Sequence, residues 1–90
     1  MTIWTEDFIK DPNAVKDYTV DWEDWLAGDA ISTSSWSVPS GITNSFTSNT
    51  TLLAIIWLSG GTVQTDYEVY NTIVTAGGRT ERAMIKIQVR

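Results

Sequence analysis

The stretch Gly60-Gly61-Thr62-Val63-Gln64-Thr65-Asp66-Tyr67-Glu68-Val69-Tyr70-Asn71-Thr72-Ile73-Val74-Thr75-Ala76-Gly77-Gly78-Arg79-Thr80-Glu81-Arg82-Ala83-Met84-Ile85-Lys86-Ile87-Gln88-Val89-Arg90 decides the fold. Successive side chains of an extended strand point to opposite faces, so Tyr67, Val69, Asn71, Ile73 and Thr75 share one face. Ala83, Ile85, Ile87 and Val89 share one face of a second strand, and their neighbours Arg82, Lys86, Gln88 and Arg90 are polar. That period of two marks half-buried antiparallel strands. Between them Ala76-Gly77-Gly78-Arg79 supplies the positive φ that a tight hairpin turn needs.

The segments upstream extend the pattern. Tyr18, Val20 and Trp22 alternate with Thr19 and Asp21, which reads as a strand, and Glu23 to Ala27 fits one helical turn ended by Gly28. From Ala30 to Thr65 there is no charged residue. Ile31 and Trp36 differ in strand parity, so a bulge is expected near Thr33-Ser34-Ser35. Pro39-Ser40-Gly41 is a turn, Ile42 to Thr47 a weak strand, and Ser48-Asn49-Thr50 another turn. Leu52 to Leu58 is apolar on both faces; such a strand is covered on both sides or offers its outer face to a partner. Self-association of the isolated chain is therefore expected.

Ninety residues make one domain with a small core. There is no Cys, so packing or neighbours must hold it, and no His, which removes the commonest general base and metal ligand. No nucleophile–base pair, phosphate loop or zinc ligand set is present, so we expect no catalytic residue, no metal site and no cofactor. The carboxylates Asp17, Asp21, Glu23, Asp24 and Asp29 do not follow calcium-loop spacing. A net charge of −5 argues against nucleic acid. The longest apolar run has seven residues, Leu52 to Leu58, too few to span a bilayer as a helix, so no membrane partner is expected.

Candidate contacts to other proteins are of two kinds. In residues 1–16, Trp4 and Phe8 stand four apart beside acidic residues, ahead of Pro12. This segment is either a terminal strand folded on the domain's own core or an arm whose Trp4 and Phe8 anchor on a neighbour. Arg79, Arg82, Lys86 and Arg90 line one side of the last hairpin. They form a solvated face, or they pair with the acidic Asp17–Asp29 region of an adjacent copy, in which case assembly would weaken with salt. Trp25 is a further anchor, and with Trp36 it could instead bind a surface glycan if both rings lay open to solvent.

Short strands separated by turns suggest an all-β sandwich over residues 17–90, of about seven strands. Tyr67 stands where the immunoglobulin fold places its tyrosine corner, Val69 where that fold has a disulfide cysteine, and Trp36 could serve as the core Trp. Several motifs resemble a family of small tailed-phage proteins: Asp11-Pro12-Asn13-Ala14-Val15-Lys16-Asp17-Tyr18, Trp25-Leu26-Ala27-Gly28-Asp29, Ser35-Trp36-Ser37-Val38-Pro39-Ser40-Gly41, Trp57-Leu58-Ser59-Gly60-Gly61-Thr62 and Thr75-Ala76-Gly77-Gly78-Arg79-Thr80. The family is described as phage fibre-tail adaptor, or Ig-like virion protein. The resemblance implies an Ig-like antiparallel β-sandwich and a non-enzymatic virion subunit. Its implied partners are other phage structural proteins of the tail, neck, fibre or capsid, met in several symmetric copies. It leaves open a tail or fibre linker and a capsid decoration protein.

Overall fold

The computed structural model describes the chain from Thr2 to Arg90, with side chains from Glu6 onward. Seven strands and one short helix follow in the order β1 (Thr2–Lys10), β2 (Lys16–Asp21), α1 (Glu23–Leu26), β3 (Ile31–Ser37), β4 (Ile42–Asn49), β5 (Leu53–Gly60), β6 (Thr65–Thr75) and β7 (Thr80–Val89). They form two sheets, of order β1-β7-β6-β3 and β2-β5-β4.

The β6–β7 hairpin is the longest ladder. Tyr67 pairs with Ile87, Val69 with Ile85 and Asn71 with Ala83, so the two inward faces coincide in register. All six of these residues are buried. From the other sheet Tyr18, Val20, Ala54, Ile56 and Leu58 face them and close the core. Each inward residue alternates with an outward one, as a strand covered on one side requires. The expected all-β, Ig-like sandwich is the fold of this protein.

The first strand adds one parallel pairing to this otherwise antiparallel architecture. β1 runs alongside β7 with Glu6 opposite Ile85, Phe8 opposite Ile87 and Lys10 opposite Val89. Its end is fastened by Lys10, whose side chain is buried and whose Nζ donates to the carbonyls of Gly60 (2.7 Å) and Asp11 (2.9 Å). Burial pulls the Lys10 pKa down, with the Asp11 carboxylate opposing.

The tyrosine corner is present. Tyr67 Oη accepts a hydrogen bond from the Thr62 amide at 2.9 Å, five residues upstream. Gly41 and Gly61, at φ of 100° and 101°, make room for it and for its neighbour Val89. A Cβ on Gly41 would lie 3.0 Å from the Tyr67 ring, and one on Gly61 2.8 Å from Val89 Cγ2.

Trp36 is not the core Trp. Trp22 takes that place, fully buried, while Trp36 on β3 is only partly covered. The reason is polar as well as apolar. Trp22 Nε1 donates to Asn71 Oδ1 at 2.9 Å in the interior, whereas Trp36 Nε1 has no acceptor among the described residues. Asn71 Nδ2 in turn donates to Ser34 Oγ (2.9 Å) and to the Ser35 carbonyl (3.0 Å), which ties β3 to the centre of the sandwich. The irregularity expected in β3 falls between Ile31 and Thr33, slightly before the Thr33–Ser35 position read from parity.

Candidate functional site

The charged end of the molecule is built around Asp29. The helix α1 ends with Ala27 in the left-handed region at φ 49°, followed by Gly28 at φ 96°. This reversal brings Asp29 beneath the β6–β7 turn. Asp29 Oδ1 accepts from the amides of Ala30 (2.8 Å) and Gly77 (3.0 Å), and Oδ2 accepts from Arg79 Nε at 3.2 Å. A Cβ at Gly77 would sit 2.8 Å from Oδ2, so Gly77 is required here for proximity, while Gly78 supplies the positive φ of 87°. Hydrogen bonding from Thr75, then from Ala30, Gly77 and Arg79, holds the Asp29 carboxyl at about 2 against the opposing effect of burial.

Arg79 completes this clamp. Its guanidinium donates to the Leu26 carbonyl at 2.8 Å, pairs with Asp29 at 3.1 Å and covers the Trp25 ring at 4.2 Å. Trp25 meets Trp22 edge to face, with centroids 5.3 Å apart. Arg79, read from the sequence as a candidate contact for the Asp17–Asp29 region of an adjacent copy, has an acidic partner close at hand. It pairs with Asp29 of its own chain, because the hairpin turn folds back over the end of α1. Trp25 and Trp36 are both half-buried, and Arg79 lies over the Trp25 ring.

Of the six residues read as partner contacts, the five whose side chains are described do not converge on one patch. Trp4 lies in β1, but its side chain is outside the described residues. Phe8 is half-buried and packs edge to face on Tyr18 at 4.9 Å, joining the two sheets at the β1/β2 flank. Trp25 and Arg79 belong to the clamp. Arg82 and Lys86 stand on the outer face of β7, where Arg82 lies over Tyr70 at 4.5 Å and Lys86 approaches Asp66 at 3.8 Å. Beside Lys86 a shallow open groove is lined by Ser37, Pro39, Tyr67, Glu68 and Tyr70.

A surface that the sequence pointed to only in part lies on the opposite sheet. In β5, Ala54, Ile56 and Leu58 are buried, and Leu53, Ile55 and Trp57 face outward. Trp57 is 39 % exposed and pairs with Phe46 of β4, which is 62 % exposed. The double-faced apolar character of Leu52–Leu58 announced the β5 half of this patch. Phe46 was legible only as the one aromatic in a polar run. Among the described residues no three acidic, His or Cys side chains converge on a metal position.

A fold whose polar clusters are bound up in its own structure, and whose outward faces carry aromatic and cationic side chains, defines a protein-contact module. The model of one family, podophage GP4 fiber-tail adaptor protein gp77, matches residues 10–88, and the chain belongs to that family. It is thus a bacteriophage virion component with a structural, linking role in the tail and fibre region. No curated protein matches the chain.

Proposed function

We propose that this protein acts without catalysis, as a rigid spacer that joins a tail protein to a fibre protein, in several symmetric copies per virion. The observation that carries this reading is the family match over nearly the whole sandwich. The geometry supports it. Asp29, Arg79 and Asn71, the best-connected polar side chains, all hold the fold together, while apolar and cationic side chains are left outward. Arg82 and Lys86 on one sheet, and β1 with Trp4, supply contacts to neighbouring virion proteins, and Trp25 and Arg79 contribute together as the stacked pair they form. Residues 1–16 carry the terminal strand β1 and the turn that leads into β2, and 17–90 the rest of the sandwich; the family match begins at residue 10, the end of β1.

The test is made on virions. Phage assembled without this protein should lack fibres yet keep filled heads and tails, and added protein should restore fibre attachment. Labelled protein found over the whole capsid, rather than at the tail, would instead make it a decoration protein.

A further inference from the structure

We propose that two copies of this chain pair edge to edge through β4, related by a two-fold axis near Phe46, to make one continuous six-stranded sheet. The proposal rests on the adaptor reading and names the partner of its uncharged flank. The fold sorts charge by flank. Every charged residue lies outside 30–65. The strands β3 and β4, both inside that segment, are the free edges of the two sheets on one flank. The opposite edges, β1 and β2, carry Glu6, Asp7, Lys16, Asp17 and Asp21.

Natural edge strands are kept from pairing by charges, prolines, shortness or bulges. β4 has eight residues, with no charge and no proline; one register shift, between Asn44 and Phe46, leaves the stretch from Phe46 to Asn49 in regular pairing with β5. After Ile42 it is exposed along its whole length, on both faces. A chain of net charge −5 repels its own copies, and like charges set opposite one another across a ladder are destabilising. The β3/β4 flank is where two copies can meet without opposing any charge, which is why the occupant is a second copy. Pairing about Phe46 sets Phe46 against Phe46 of the other copy. It extends the Phe46–Trp57 pair into a row of four aromatic rings on one outer face, the kind of cross-strand pairing that stabilises sheets. A two-fold contact of this kind is self-complementary and closed.

The chain has no Cys, which makes cross-linking clean. Phe46→Cys should give a disulfide-linked dimer in a glutathione redox buffer, and Thr19→Cys, outward on the far strand β2, should stay monomeric. By sedimentation, wild type should show a concentration-dependent dimer. Phe46→Lys and Phe46→Glu should each be monomeric with unchanged near-ultraviolet circular dichroism, and their mixture should recover the dimer. A wild type that stays monomeric at millimolar concentration overturns the proposal, as does equal cross-linking at position 19. A monomeric wild type whose binding to fibre or tail is lost in Phe46→Lys would give the edge to a strand of that protein instead. Failure of the adaptor reading looks different: a dimer that forms as described but never binds fibreless virions.

Discussion

At the scale of single residues, two polar side chains decide more than their neighbours. Asn71 is fully buried and satisfies three groups at once: the Trp22 indole N–H, the Ser34 hydroxyl and the Ser35 carbonyl. Asn71→Ala removes the buried acceptor of the Trp22 indole N–H and the donor that ties Ser34 and Ser35 to the centre of the sandwich. It should cost about 1–3 kcal/mol, the usual range for losing one partner of a buried hydrogen bond. Chemical denaturation checks the size, and the emission of Trp22 should shift as its environment loosens. Asp29 makes a pH prediction. Its folded pKa of about 2 lies below the ordinary 3.8. A depressed carboxyl stabilises the fold fully above its unfolded pKa, and that contribution fades as pH falls from about 4 toward 2. Thermal melts should show wild type losing more stability across that window than Asp29→Asn, which is less stable than wild type at pH 7. Equal slopes for the two proteins would remove Asp29 from the acid limb.

At the scale of elements, the informative piece is β1. It is a parallel edge strand, fastened at one end by Lys10 and seated by Phe8 on Tyr18. Few of its described side chains are buried: Glu6, Asp7 and Ile9 are exposed, and Lys10 is the buried one. Removing residues 1–9 deletes the Phe8 contact and most of the β1–β7 ladder but leaves the hairpin core whole. The truncated protein should fold, with a loss of about 1–2 kcal/mol, or about 5–15 °C in Tm for a domain this small. A chain that no longer folds would make β1 part of the core. Lys10→Met tests the fastening alone. It strands the Gly60 carbonyl and should cost about 1–3 kcal/mol, read by urea denaturation.

At the scale of the whole molecule, the ion pairs and the association separate. Arg79–Asp29, Arg90–Asp66 and Lys86–Asp66 all lie within one chain. The dimer inferred above uses an uncharged edge. Association should therefore survive 1 M salt, where the Debye length is about 3 Å. Dissociation by salt, followed by sedimentation, would return the contact to the charged faces. Tyr67, Val69, Ile85 and Ile87 were legible in the sequence because alternation along a strand is a local property. So were the tyrosine corner and the all-β class, which rest on spacings of a few residues. Trp22 was not recognised as the core Trp, because its acceptor is 49 positions away on Asn71 and no local pattern reports a partner at that distance. The same holds for Arg79 and Asp29, which are 50 apart in sequence. Their charges suggested a contact between copies, but the return of the hairpin over α1 closed it within one chain. By itself the sequence determined which faces of each strand are apolar and where the chain turns, since both follow from side-chain alternation and backbone preference. Only the tertiary structure decided which charges meet, which Trp is central and which edge is left bare, because those depend on how the two sheets lie against each other.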